Sequence, residues 1–121
     1  MGMCFVNQTR GTTLATDARV ADGYLGRLRG LLYSKQITAG EGLLLKPCNS
    51  IHMFGMTYAI DALFLDDDFK VVGVVGNIQP MQVSKLFKKA TACLELPSGT
   101  ISSTGTELGD QLTNSIELKQ K

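Results

Sequence analysis

Apolar residues fall along the chain in short runs, each closed by Gly, Pro, Asn or Asp, which is the punctuation of a protein built mainly from strands. Met3–Asn7 is a short apolar segment, Gln8-Thr9-Arg10-Gly11 reads as a turn, and Thr12–Arg19 alternates loosely, so a hairpin opens the chain. The period then changes: Val20, Tyr24, Leu25, Leu28, Leu31 and Leu32 recur at helical spacing, with Asp22 placed to cap the start, and predict one helix within Val20–Ser34. Leu43–Leu45 is a short buried strand stopped by Lys46-Pro47. Ile60–Leu65 is apolar on both faces, as a central strand is, and Asp66-Asp67-Asp68 turns it into a Val-rich return, Phe69–Gly76. Asn77–Ala90 fits a short amphipathic helix and a solvated loop equally. Thr91–Leu96 is a further strand, broken by Pro97-Ser98-Gly99; Ile101–Glu107 suits one helical turn, and Gln111–Leu118 a last strand. The expected fold is mainly β, a β-rich α+β protein with a small barrel-like or sandwich sheet of about seven short strands and one covering helix.

Length sets the domain count. At 121 residues the chain makes a single domain over 1–121, with its core at about 15–112 and a frayed tail at 119–121. Twelve basic against eleven acidic residues give a net charge of +1, so no global field gathers nucleic acid or membrane, and no apolar run reaches membrane length. Cys4, Cys48 and Cys93 are widely spaced, odd in number and form no CxxC, which reads as free thiols in a reducing, cytoplasmic compartment. A monomer is the expected state.

The candidate chemistry gathers between Leu43 and Asp67. This stretch holds the only His (His52), Cys48, the closely spaced Met53 and Met56, and the carboxylate of Asp61 within an apolar strand. Asn49, Ser50, His52, Met56 and Thr57 lie on a polar loop between two buried strands and are expected to border one concave pocket, with Asp61 and Arg29 beside it. That arrangement suits a small-molecule or peptide ligand, and a binding or accessory module is the preferred reading. The alternative is a small enzyme using Cys48, His52 and Asp61 in thiol or metal-assisted chemistry. No third orienting group, oxyanion element or paired metal-ligand spacing accompanies them, so neither a metal nor another cofactor is expected. Arg27, Arg29, Lys85, Lys88 and Lys89 could form a basic surface, but few aromatic residues are interleaved, which argues against nucleic acid. An ionised carboxylate at Asp61 needs partners; the candidates are Arg27 or Arg29, Thr57 and the amides of the His52–Met56 loop.

The order of motifs adds a resemblance. Arg29-Gly30-Leu31-Leu32 precedes Gly42-Leu43-Leu44-Leu45, then Ile51-His52-Met53-Phe54-Gly55-Met56, Ile60-Asp61 through Phe64-Leu65-Asp66, Leu94-Glu95-Leu96-Pro97-Ser98-Gly99 and Gly109-Asp110. This resembles the DUF192 family of small prokaryotic proteins over roughly Ala15 to Leu112. Where many members carry Trp-Met followed by Lys-Asn-Thr, this chain has His52-Met53-Phe54-Gly55-Met56-Thr57. The resemblance implies a compact β-rich, barrel-like fold and no particular activity.

Overall fold

The protein is described by a computed structural model covering residues 2–22 and 36–116, with only the backbone of Asp22 and Ile116. Seven strands form one sheet: β1 (Met3–Asn7), β2 (Thr12–Asp22), β3 (Glu41–Lys46), β4 (Ile60–Leu65), β5 (Val71–Ile78), β6 (Ala92–Pro97) and β7 (Leu112–Ile116). A single short helix, α1 (Thr100–Thr104), joins β6 to β7. The strand order is β5-β4-β6-β3-β2-β1-β7, with β2 and β3 parallel and the other neighbours antiparallel. The sheet curls until its two edges meet at one end. Lys70 bridges Gln111, the Val71 N–H donates to the Asp110 carbonyl at 2.9 Å, and the Leu112 N–H donates to Phe69 at 3.0 Å. The result is a half-closed barrel.

Both faces of the sheet are covered, which explains why its central strands read as continuous apolar runs rather than alternating ones. All of β4 and most of β6 are buried. Inside the curl, Phe5, Leu14, Leu44, Leu63, Leu65, Leu94, Leu96 and Leu112 pack together. On the opposite face, Leu43, Leu45, Ile60, Phe64 and Cys93 pack against Ile51, Met53 and Met56 of the loop after β3, and against Ile37. Burying each Leu or Phe contributes about 1.5–3 kcal/mol, so the second layer holds the loop to the sheet.

The β4–β5 hairpin turns at Asp66–Lys70, where Asp66 Oδ1 accepts from the N–H groups of Asp68 and Lys70, both at 2.9 Å. One expectation changes, and one open alternative closes. The helical period that begins at Val20 does not bend the chain there: β2 continues to Asp22, and Val20, Ala21 and Asp22 pair in register with Leu44, Leu45 and Lys46. A parallel partner strand and burial of Ala21 outweigh the local 3.6 period, so Asp22 is a strand residue rather than a cap. The rest of the helix expected within Val20–Ser34, with Arg27 and Arg29, lies outside the described residues, as does the tail at 119–121. Residues 79–91 form no helix; they run as a loop, because their amides bond to the loop after β3.

Candidate functional site

Two long loops cross the same face of the sheet in opposite directions, 47–59 between β3 and β4, and 79–91 between β5 and β6. They are zipped to each other by main-chain bonds. The Met53 N–H donates to Gln82 at 2.8 Å, Met81 to Met53 at 3.1 Å, Ser84 to Ile51 at 2.9 Å, Phe87 to Asn49 at 2.9 Å and Cys48 to Thr91 at 3.1 Å. His52 and Val83 form an isolated β-bridge, and the Ile51 N–H donates to Ser84 Oγ at 2.9 Å. A ribbon of two loops therefore lies over the sheet, held together by its own main-chain bonds. Ile51, Met53 and Met56 turn inward as its anchors.

The outward side is apolar and basic. Four of the six large apolar side chains exposed among the described residues stand on these loops: Phe54 (51%), Met81 (67%), Val83 (61%) and Leu86 (55%). His52 is exposed and stacks on Phe54, ring centroids 4.9 Å apart, and its Nδ1 accepts from the Phe54 N–H at 3.3 Å. Lys85 Nζ lies 5.3 Å from the centroid of the Phe87 ring, which itself stacks on Phe64. Lys46, Lys85, Lys88 and Lys89 are exposed, and neither loop contains an acidic residue. Local basic character thus arises on a chain that is nearly neutral overall.

Two cavities border the ribbon. One, of about 380 Å³, lies between Val75–Ile78 of β5 and Gln82–Lys85. The other, of about 300 Å³, is lined by Pro47, Cys48, Asn49, Ala90 and Thr91. The expected site residues are distributed among these features. Asn49 lines the second cavity; Ser50 and Thr57 are exposed, and the Ser50 carbonyl accepts from Cys48 Sγ at 3.2 Å. Met56 is buried in the layer beneath, and Arg29 lies outside the described residues.

Asp61 is buried, but its partners are not those expected from the sequence. Its Oδ1 accepts from the Asn77 N–H at 2.8 Å, and its Oδ2 from Gly99 at 3.1 Å and Ile101 at 2.8 Å. Strand alternation explains the correction. Ile60, Ala62 and Phe64 face the ribbon, whereas Leu63 and Leu65 face the curl, so Asp61 points away from the His52–Met56 loop and towards the start of α1. There it satisfies amides that the helix leaves open and ties the end of β5 to the β6–α1 corner. With all three bonds made to amides, Asp61 serves no Cys48–His52 pair, and among the described residues no group of three His, Cys, Asp or Glu side chains is placed to hold a metal ion.

Two polar features escaped the sequence reading. Glu95 is fully buried, flanked by Leu43 and Ala62 on the neighbouring strands. Its signal was the alternation of Leu94-Glu95-Leu96, in which the two Leu occupy the inner cluster and Glu95 must face the other way. The second is a polar knot where the end of β1 and the turn after it meet the segment before β7. Asn7 Nδ2 donates to Thr106 Oγ1 at 3.1 Å and Asp110 Oδ2 at 2.9 Å, while Arg10 Nε donates to Asp110 Oδ2 at 3.0 Å and its Nη2 to Glu107 at 2.9 Å. The Arg10 hydrogen bond holds the Asp110 carboxyl down to about 2, helped by Asn7 and the Glu107 N–H, while burial acts in the opposite direction.

The family profile for DUF192, described as an uncharacterized ACR, matches residues 5–114. The chain belongs to the DUF192 family. A UPF0127 protein of Pyrococcus horikoshii is 31% identical over 110 residues, spanning 88% of this chain and 95% of that protein. A UPF0127 protein of Thermococcus kodakarensis is 30% identical, spanning 89% of this chain and 71% of its own length. Among solved structures, a protein described as a putative transcription regulator of Sinorhizobium meliloti superimposes with a TM-score of 0.77 at 22% identity, covering 93% of this chain and 91% of that one. A protein of unknown function from Novosphingobium aromaticivorans gives 0.75 at 17% identity, over 92% and 82%. At these identities the two structures share the DUF192 fold with this chain. Among the described residues no helix is long and apolar enough to cross a membrane.

Proposed function

We propose that this DUF192 protein is a binding or accessory module that recognises a peptide segment through the ribbon formed by residues 47–59 and 79–91. One observation carries the reading: Phe54, Met81, Val83 and Leu86 are held in water by two loops that main-chain bonds zip to each other. Single exposed apolar residues need no explanation, but a group of them on a braced surface, with His52 and lysines around it, has the composition of a recognition surface. The adjoining cavities supply concave relief on either side. The commitment of Asp61 to structural amides supports binding over catalysis.

Selection from a phage-displayed random-peptide library tests this reading. Peptides are expected to enrich on the wild-type protein and to lose binding to a Phe54→Ser/Val83→Ser variant of unchanged thermal midpoint. A selection that enriches nothing, or peptides indifferent to the variant, would contradict it.

A further inference from the structure

The cavity between the end of β5 and Gln82–Lys85, of about 380 Å³, has room for a small organic group, and its polar lining is of one kind. The main chain of Asn77 is already engaged: its N–H donates to Asp61 at 2.8 Å, and its carbonyl accepts from Gln79 Nε2 at 3.2 Å. The side-chain acceptors are used as well. Asn77 Oδ1 accepts from Ser98 Oγ at 2.7 Å, and Gln82 Oε1 accepts from the Gln79 N–H at 2.7 Å. Ser84 Oγ accepts from the Ile51 N–H at 2.9 Å and donates to the Lys85 carbonyl at 3.0 Å. Donors remain: Asn77 Nδ2, Gln82 Nε2 and Lys85 Nζ, none of which has an acceptor among the described residues. Lys85 Nζ lies 5.3 Å from the centroid of Phe87, whose ring is packed against Gly73, so the ammonium stands on the β5 side of its loop.

Three donors around one cavity, with the neighbouring acceptors spent, are complementary to an anion. Residues 69–94 contain Lys70, Lys85, Lys88 and Lys89 and no Asp or Glu, which makes the local field positive. The size of the charge is limited, however. A single lysine lines the cavity, and the Asp61 carboxylate is close by, 3.9 Å from where a Cβ on Gly76 would stand. One cation beside a carboxylate already held by three amides suits a monoanion and opposes a dianion such as phosphate. Val75 and Val83, on opposite walls, offer apolar contact to an aliphatic stem. We infer that this groove binds a carboxylate group on a short aliphatic stem, its oxygens on Lys85 Nζ and the NH2 groups of Asn77 and Gln82, its stem between Val75 and Val83. The site goes beyond the peptide reading, because it takes the same group from a free acid or from the end of a peptide chain.

Titration of isotope-labelled protein with isocaproate, followed by its main-chain and side-chain amide resonances, tests the site; isocaproamide is the uncharged copy and inorganic phosphate the anion without a stem. Isocaproate should move the side-chain NH2 signals of Asn77 and Gln82 and the main-chain signals of Val75–Ile78 and Gln82–Lys85. Isocaproamide should bind about tenfold or more weakly, because the charge-assisted bond to Lys85 is lost. Lys85→Gln should weaken isocaproate to a similar degree, and Lys85→Arg should retain it, both at unchanged thermal midpoint. The tripeptide N-acetyl-Gly-Gly-Leu distinguishes the sources. Binding at least as tight as that of isocaproate, lost on amidation of its C-terminus, assigns the carboxylate to a chain end; weaker binding assigns it to a free acid, and either result supports the site. Silence of these signals with both isocaproate and the tripeptide would overturn it, as would equal binding of isocaproamide, indifference to Lys85→Gln, or equal shifts from phosphate. The exposed surface of Phe54 and Val83 takes no part in these measurements, so phage selection decides the peptide reading separately.

Discussion

The polar groups around Asp110 and Asp61 differ from those of the ribbon in one respect that separates stability from recognition. At Asp110, Asn7, Arg10 and the Glu107 N–H all converge on one buried carboxylate, and at Asp61 three amides do. Each of these charges is spent inside the molecule, joining distant parts of the chain: β1 to the segment before β7, and β5 to α1. On the ribbon the order is reversed. Its backbone bonds join its two loops to each other, while its side chains, Phe54, Val83, Leu86 and the lysines, face water. A saturated buried carboxylate stabilises a fold and has little left to offer a ligand; an exposed apolar and basic face adds little to folding and is free to bind.

The largest expected effect is therefore at Asp61. Asp61→Ala leaves three amides without an acceptor and should lower unfolding free energy by about 2–4 kcal/mol in urea titrations. Asp61→Asn keeps one acceptor oxygen and should lose less. An unchanged midpoint for Asp61→Ala would remove the anchoring role.

Asp110 comes next. Asp110→Ala should cost about 1–3 kcal/mol at neutral pH, since Asn7 and the Glu107 N–H lose a charged acceptor. Its depressed pKa also sets a pH dependence. The folded value, about 2, lies below the ordinary 3.8, so the stabilisation is complete above the unfolded value and is lost as pH falls from about 4 through about 2. Asp110→Asn should flatten that part of the thermal midpoint against pH curve; a variant that follows the wild type over this range would show that the coupling to Arg10 contributes nothing.

Much of the fold was legible because its strands are short, apolar and bounded by turn residues. Ile60–Leu65, the Asp66–Asp68 turn and the Val-rich return needed only local rules. What was not legible depended on partners far along the chain. Val20–Asp22 looked helical because the pairing with Leu44–Lys46 is invisible to a period count. The loop character of 79–91 is fixed by amides of 49–53, some thirty residues earlier. At the site, the sequence marked the 48–61 region and the buried state of Asp61, but not its direction. One strand step separates a carboxylate facing His52 from one facing α1, and Thr57 and the loop amides were expected on the wrong side of the sheet. Phe54, Val83 and Leu86 were hidden for the opposite reason: apolar residues in a sequence are read as core until a structure leaves them outside.

The smallest stability change should come from the ribbon. Val83→Ser and Leu86→Ser should alter unfolding free energy by no more than about 0.5 kcal/mol, because both side chains are already hydrated in the folded state. A loss comparable to that of Asp61→Ala would mean that these side chains belong to the core.

Amide chemical-shift mapping with a peptide that binds the wild-type protein tests the division between the two regions most directly. Perturbations are predicted to centre on residues 48–57 and 82–89 and to extend along Val75–Ile78, leaving Asn7, Arg10, Thr106 and Asp110 unmoved. A map centred on the Asp110 knot, with the ribbon silent, would contradict the account.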